Sequence, residues 1–172
     1  MAAALVVPSL ASSLIAQQAA SPHEGLWIGF GVGGGYHLSG PPAARGGGAG
    51  QVRLGGTVNP WLLVGGELTG WGRDQNQTTA LRGNIMGAAL VYPAGPAGFV
   101  KAGVGLATQS VSLASAGPGR LTDVGVGGAL GVGYDLRIAD NLFLTATLDF
   151  LLQVISDRRD SLALMTIGVT WH

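Results

Sequence analysis

The sequence contains no cysteine and few charged residues. Lys, Arg, Asp and Glu together make up 10% of its 172 residues, against about 25% in soluble domains. Without cysteine, the chain can form neither a disulfide framework nor a cysteine metal site. Nine basic residues balance nine acidic ones, so the basic excess of a nucleic-acid-binding surface is missing. We therefore predict no nucleic-acid partner.

Long hydrophobic runs are also missing from the chain beyond its N-terminal segment. A transmembrane helix needs about 20 consecutive apolar residues, but Gly, Pro or polar residues interrupt every later apolar stretch. The composition is nevertheless apolar, with 47% hydrophobic residues and a mean hydropathy of +0.40. This composition is typical of a protein whose outer surface contacts lipid. Because backbone groups in hydrocarbon must bond to one another, strands can span a membrane only as a closed barrel.

The N-terminal segment has the order of a secretory signal peptide. The mostly apolar stretch 2–16 is followed by Gln17, Gln18 and small residues, which is typical of a hydrophobic region and a cleavage region. We predict a signal peptide in residues 1–20 and a mature domain in residues 25–172.

From residue 21 onward, aliphatic residues alternate with Gly or polar residues. This period of two is typical of strands with two different faces. The pattern predicts an all-β fold, an eight-stranded antiparallel up-and-down transmembrane β-barrel. The predicted strands are 26–38, 51–58, 61–71, 79–92, 99–113, 122–136, 142–154 and 162–171.

The predicted connections alternate between short and long. Short connections are expected at 59–60, 93–98 and 137–141, and longer ones at 39–50, 72–78, 114–121 and 155–161. Outer-membrane barrels have short periplasmic turns and longer outside loops. With eight strands, both termini are then predicted to be periplasmic. The cluster Asp157–Asp160 is expected in an outside loop, where Arg158 and Arg159 could contact lipopolysaccharide phosphates.

Charged residues within the predicted strands fall on the face opposite the aliphatic residues. A Lys or Arg on the lipid face costs about 2–4 kcal/mol near the bilayer centre, whereas an inward charge can find a partner. An eight-stranded barrel is just wide enough for side chains to fill it. We predict a lumen charge network that closes the barrel, formed by Arg53, Glu67, Arg82, Lys101 and Asp149. Many inward glycines would leave volume unfilled, which keeps a narrow conduit open as an alternative.

The Trp and Tyr residues all lie near the ends of the predicted strands, where amphipathic rings meet the membrane interface. Three of them fall on the same face as the aliphatic residues, so they have outward parity and are predicted as membrane-interface aromatics: Tyr36, Tyr134 and Trp171. The other four fall on the opposite face and so have inward parity: Trp27, Trp61, Trp71 and Tyr92.

Three features carry a family resemblance: the opening 25–36 (GLWIGFGVGGGY), the eight-strand rhythm, and the last strand 164–171 (LMTIGVTW). With these features, the sequence resembles the small opacity-type and outer-membrane-protein-A-type barrels of Gram-negative bacteria. The resemblance implies a place in the bacterial outer membrane, among lipid and lipopolysaccharide. It also implies that the outer-membrane barrel assembly machinery reads the last strand, although His172 departs from the usual terminal aromatic. No enzymatic activity and no cofactor are implied.

Candidate sites in the sequence are weak. The GxGxxG at 29–34 is not followed by a helical pattern, which a dinucleotide site requires. His37, Ser39 and Asp74 are of the residue types that outer-membrane enzymes acting on lipid A use. The sequence around them does not contain a motif of such enzymes. The scattered histidines, His23, His37 and His172, do not have the spacing of a metal site. We predict no catalytic residue, no cofactor and no metal.

The leading hypothesis is a non-enzymatic, integral outer-membrane β-barrel with a structural or surface-loop role and a closed lumen. One alternative is a small passive channel, and another is an outer-membrane enzyme that modifies lipid A. A soluble ligand-binding barrel of the lipocalin kind needs polar residues outside and apolar residues inside, and this sequence has the reverse arrangement.

Overall fold

The computed structural model describes residues 25–39, 46–75, 78–95, 97–113 and 120–172. Eight antiparallel strands form one closed barrel, in which neighbours in sequence pair and β1 closes on β8. The predicted fold class is confirmed. The strands are β1 (Leu26–His37), β2 (Gly46–Asn59), β3 (Leu62–Gln75), β4 (Thr78–Val91), β5 (Gly98–Leu113), β6 (Arg120–Ala139), β7 (Leu142–Ile155) and β8 (Arg158–Trp171).

The predicted signal peptide, residues 1–20, lies outside the described residues. Within the described ranges, no helix has the length and apolar character needed to cross a membrane.

The barrel is apolar outside and largely polar inside at mid-height. On β7, Leu148 is 54% exposed, while its neighbours Thr147 and Asp149 are 3% and 2% exposed. The same alternation recurs along the other strands, because successive side chains of a strand point to opposite faces. An exterior of this kind is stable only where lipid covers it.

Several strands extend further than the alternation indicated, and the predicted short–long rhythm of connections is wrong. Only residues 76–77 separate β3 from β4, and only 156–157 separate β7 from β8. Ser156 and Asp157 have φ of 49° and 64°, as two-residue hairpin turns of the primed types require. The backbone ladder continues through Arg159 and Val154 because backbone hydrogen bonds do not depend on alternating side chains.

This extension also overturns the predicted charged loop at Asp157–Asp160. Arg158 to Asp160 belong to β8, and the side chain of Asp160 is partly buried. The sequence pattern was lost there because two arginines interrupt the alternation at the end of the strand.

The two ends of the barrel differ in what they carry. The terminal end is the one at which the chain enters at Leu26 and leaves at Trp171; it also carries the connections 60–61, 92–97 and 140–141. The distal end is the opposite one, where β1 ends at His37 and β8 begins at Arg158.

Two buried apolar clusters fill the lumen at different heights. The terminal plug lies near the terminal end and consists of Trp27, Leu63, Leu90, Tyr92 and Phe99. The distal plug lies in the distal half and consists of Trp71, Met86, Ala129, Leu151, Leu162 and Leu164. Lys101, Glu67 and Asp149 lie between these plugs.

Large rings cover several of the inward glycines. The Phe99 ring occupies the position that a side chain at Gly133 would take, and the Trp71 ring covers Gly35 and Gly47 in the same way. The expectation that inward glycines leave the lumen unfilled therefore does not hold at these positions. The glycines instead make room for aromatic side chains from other strands.

Candidate functional site

A buried ion cluster lies at the centre of the lumen. Lys101 Nζ is 2.8 and 2.7 Å from the two carboxylate oxygens of Glu67, and 2.9 Å from Asp149 Oδ1. Thr69 Oγ1 donates a further hydrogen bond of 2.7 Å to Glu67 Oε1. We call Lys101, Glu67 and Asp149 the central ion cluster. One ammonium group thus holds carboxylates from β3 and β7.

The register of three strands explains how Lys101 reaches Asp149. Lys101, Gly131 and Asp149 are paired neighbours across β5, β6 and β7. Asp149 Oδ1 lies where a side chain at Gly131 would begin. The glycine therefore lets the carboxylate lie flat against the wall of the barrel, within reach of Lys101.

Arg53 lies in the same region of the lumen but forms no ion pair with another residue that the structure describes. It is paired in register with Glu67, whose oxygens are taken by Lys101 and Thr69. Its guanidinium carbon is 5.7 Å from the Phe99 ring centroid, within cation–π range. Its Nη2 is 3.4 Å from Thr170 Oγ1.

Arg82, the fifth residue of the predicted lumen charge network, lies elsewhere. Its Nε and Nη2 are 2.9 and 2.7 Å from Asp160 Oδ2, and His37 Nε2 is 2.7 Å from Asp160 Oδ1. Arg82 and His37 both lie against the Trp71 ring, at 5.7 and 5.9 Å from its centroid. We call Arg82, Asp160 and His37 the distal ion cluster.

Sequence reasoning missed Asp160 as a lumen residue. Its parity is that of Leu162 and Leu164, which point inward. Extending the alternation by two residues towards the β7–β8 turn would have identified it.

An uncharged hydrogen-bonded belt adjoins the central ion cluster. Gln51 Nε2 donates to Thr147 Oγ1 at 3.0 Å and to Thr166 Oγ1 at 2.6 Å. The hydroxyls of Thr145 and Thr170 lie 2.7 Å apart. The belt links β2, β7 and β8 across the lumen, and its signal in the sequence is the run of inward threonines on β7 and β8.

At the terminal end, Tyr92 ties the chain after β4 to β6. Its hydroxyl donates to Asp135 Oδ2 at 2.7 Å, and Thr145 donates to the other oxygen of the same carboxylate. Burial first, and then the nearby Asp135 carboxylate, raise the pKa of the Tyr92 hydroxyl above its usual range. The hydroxyl therefore stays protonated and remains a donor.

The aromatic residues divide between the lumen and the exterior. Tyr36, Tyr134 and Trp171 are exposed on the outside by 45%, 50% and 48%. Trp61 is 53% exposed, although its parity predicted an inward side chain. The register shifts between Thr57 and Asn59, and Trp61 lies in the following turn, where its backbone N–H donates to Asn59 Oδ1. The remaining inward-parity rings are buried, namely Trp27, Trp71 and Tyr92.

The residue types of a lipid-modifying enzyme do not come together in the described part of the chain. Asp74 accepts a hydrogen bond from Thr79 and does not contact His37, whose acidic partner is Asp160. Ser39 Oγ pairs with Ser161 Oγ at 2.9 Å. Arg82 shares the Asp160 carboxylate. Among the described residues, no three His, Cys, Asp or Glu are grouped to hold a metal ion; His23 lies outside them.

Comparison with known proteins agrees with this architecture. The family model described as outer membrane protein beta-barrel domain matches residues 3–170. No curated protein sequence matches the chain.

Among solved structures, Neisserial surface protein A is 13% identical, with a TM-score of 0.68 over 86% of this chain and 97% of that one. Ail, the attachment invasion locus protein of Yersinia pestis, is 10% identical, with a TM-score of 0.58 over 86% and 99%. The N-terminal barrel domain of Pseudomonas aeruginosa OprF is 14% identical, with a TM-score of 0.55 over 84% and 97%. With the family match across almost the whole chain, these similarities of fold identify the protein as a member of the outer membrane protein beta-barrel domain family of bacterial outer membranes.

Proposed function

We propose that this protein is a non-enzymatic, non-conducting barrel that presents its distal end at the cell surface in a structural or surface-contact role. The observation that carries the proposal is the filled lumen. The terminal plug, the central ion cluster, the distal plug and the distal ion cluster follow one another along the barrel. Lys101 and Arg53 are each only 3% exposed, so water outside the barrel does not reach them.

The energetics of the central ion cluster support a closed lumen. Removing one partner from a buried ion pair costs about 3–5 kcal/mol, because the remaining charge is left uncompensated. An ion crossing the lumen would have to displace Lys101 from Glu67 or Asp149, and also part the rings of both plugs. A small passive channel would need a continuous polar path, and the apolar plugs interrupt such a path.

The even number of strands places both termini on the same side of the membrane. We propose that both termini are periplasmic and that the distal end faces outward, as in other outer-membrane barrels. Exposed Tyr134 and Trp171 near the terminal end, and Tyr36 near the distal end, would then lie at the two membrane interfaces. The outer-membrane barrel assembly machinery would recognise β8, which ends at Trp171 with its side chain facing outward.

Lipopolysaccharide is the proposed lipid neighbour at the distal end. Arg158 and Arg159 are exposed at the start of β8, directly beyond the apolar exterior. Guanidinium groups bind phosphate oxygens in a fixed, often bidentate geometry. Both arginines would therefore meet the phosphates of outer-leaflet lipid.

Planar-bilayer recording tests the closed lumen. We expect no steady conductance steps from the wild-type barrel. The exterior Trp171→Ala variant should remain silent as well, because Trp171 lies outside the lumen. Steady steps from the wild type would contradict the proposal.

Cysteine labelling tests the orientation, since the chain has no cysteine of its own. Asp157→Cys in the distal turn should react with a membrane-impermeant maleimide on intact cells. Asp140→Cys in a terminal-end turn should react only after the outer membrane is permeabilised. The opposite labelling pattern would reverse the proposed orientation.

A further inference from the structure

The lipid-facing exterior of β2, β3 and β4 carries a row of glycines in the distal half of the barrel. Gly50, Gly70 and Gly83 pair in register across these strands and alternate along them with exposed apolar residues. A Cβ atom at Gly50 or Gly70 would meet only a backbone oxygen, at 3.7 and 4.0 Å respectively. These outward glycines therefore leave open space, unlike the inward glycines that aromatic rings cover.

A groove of about 650 Å³ lies over this row on the outside of the barrel. We call it the β2–β4 groove. The side chains of Phe30 and Leu68 border it on the terminal side. On the distal side, the next outward pair is Gly48 with Gly72, and a Cβ atom at Gly48 would meet nothing within 4 Å. The groove is therefore open towards the distal end.

A second groove adjoins the first one. It has a volume of about 480 Å³ and lies over Gly34 and Ala163, between β1 and β8. We call it the β1–β8 groove. Val32 and Ile167, which pair across these two strands, line both grooves. The two grooves are thus parts of one apolar depression that is divided by a single ridge.

A positive charge lies beyond the distal end of the β1–β8 groove. Arg159 is exposed and pairs in register with the outward Val154. Along β8 it is four residues from Ala163, or about 13 Å at about 3.3 Å per residue. On the other side of the grooves, Asp74 at the end of β3 accepts a hydrogen bond from Thr79. An anionic group above the grooves is therefore expected beside Arg159, away from Asp74.

We propose that the two grooves are a binding site for the acyl chains of one lipid A molecule, the lipid portion of lipopolysaccharide, with a phosphate of its headgroup on Arg159. Guanidinium groups bind phosphate oxygens through strong, often bidentate hydrogen bonds. This inference deepens the proposed function and rests on its outward-facing distal end, because lipopolysaccharide occupies the outer leaflet.

The shape of the depression favours acyl chains over a second copy of the barrel. Lipid tails are as apolar as a Leu side chain, so packing decides what covers this surface. A second barrel has a convex wall, which would contact the Val32–Ile167 ridge and leave the glycine floors without partner atoms, at a loss of dispersion contacts. An acyl chain is narrow and flexible enough to lie along each floor. Two grooves beside one ridge suit a headgroup that carries several chains.

Native mass spectrometry of the folded barrel, released from micelles that contain bisphosphorylated lipid A, tests the site. We expect the wild type to retain one lipid A molecule. Gly70→Leu fills the β2–β4 groove and Arg159→Gln removes the phosphate contact. Each should raise the dissociation constant about tenfold, the effect of losing one charge-assisted hydrogen bond or an equivalent amount of packing.

Gly128→Leu is the matched control. Gly128 is an outward glycine of β6 that lines neither groove, and a Cβ atom there would lie 3.5 Å from Gly103 O. This variant should bind lipid A as the wild type does. The mobility shift on a cold gel confirms that each variant is folded, and Gly50→Leu replaces Gly70→Leu if the latter does not fold.

Three results would overturn the lipid A site. One is equal binding of lipid A by the wild type and the groove-filling variant. Another is equal affinity of the wild type for phosphatidylglycerol, which would assign the grooves to any anionic lipid. The third is a wild-type dimer that Gly70→Leu abolishes, which would assign this face to a second copy. Binding in micelles depends neither on lumen closure nor on orientation in cells, so conductance and cysteine labelling test the proposed function separately.

Discussion

Arg82 and Asp160 bond across the distal mouth of the barrel, between strands that lie opposite each other in the ring of eight. The guanidinium Nε and Nη2 lie 2.9 and 2.7 Å from Asp160 Oδ2. His37 binds the other oxygen of the same carboxylate. One carboxylate thus connects β1, β4 and β8 above the Trp71 ring, and holds opposite walls of the barrel at a fixed separation.

Replacing Asp160 by Ala should lower the free energy of unfolding by about 1–2 kcal/mol, since hydrogen bonds to charged groups contribute about 1.5–3 kcal/mol and partial exposure reduces this. Urea unfolding in lipid vesicles, followed by tryptophan fluorescence, measures the change. Asp140→Ala is the control, because its ion pair with Arg137 is fully solvated at the Asp140 side, and we expect no measurable effect. Equal free energies of unfolding for the wild type and Asp160→Ala would show that the distal ion cluster does not stabilise the barrel.

Replacing Lys101 by Met should lower the free energy of unfolding by about 3–5 kcal/mol, because Glu67 and Asp149 would keep their buried positions without a counter-charge. The mobility shift between unheated and boiled samples on a cold gel, recorded across a urea series, gives the unfolding midpoint. Glu67→Gln should cost less, since the amide still accepts hydrogen bonds from Lys101 and Thr69. A midpoint for Lys101→Met equal to that of the wild type would contradict the role of the central ion cluster.

Replacing Gly131 by Ala should destabilise the barrel by about 1–3 kcal/mol, the usual cost of overpacking. The added methyl group would take the position of Asp149 Oδ1 and displace the carboxylate from Lys101. Gly128→Ala on the same strand is the matched control, because its new Cβ would lie 3.5 Å from its nearest neighbour, Gly103 O, an ordinary contact. Thermal unfolding of both variants checks the difference, and similar unfolding temperatures would count against the packing argument.

The four tryptophans should respond differently to brominated lipid, which quenches indole fluorescence on contact. In variants that retain a single tryptophan, lipids brominated near the headgroup should quench Trp171 strongly, because its ring lies outside near the terminal end. Trp27 and Trp71 should be unaffected, because both are buried in the lumen plugs. Quenching of Trp27 or Trp71 equal to that of Trp171 would mean that the inside and outside faces are assigned wrongly.

The number of strands and the direction in which most side chains point can be predicted from the alternation of residues along the chain. A period of two leaves only two faces, and the cost of charge in lipid decides which of them is inside. Lys101, Glu67 and Asp149 could therefore be assigned to the lumen from their parity alone. The outward facing of Tyr36, Tyr134 and Trp171 follows from the same rule.

Which inward residues contact one another depends on the three-dimensional arrangement of the strands and could not be predicted. Contacts across the lumen depend on the stagger between strands and on close approaches such as that at Gly131, and local alternation carries no information about either. Lys101 thus joins Glu67 and Asp149, whereas Arg82 joins Asp160 at the distal end. The bulge before Trp61 and the extension of β8 to Arg158 were likewise decided by backbone pairing with neighbouring strands, because a ladder of hydrogen bonds forms whatever side chains it carries.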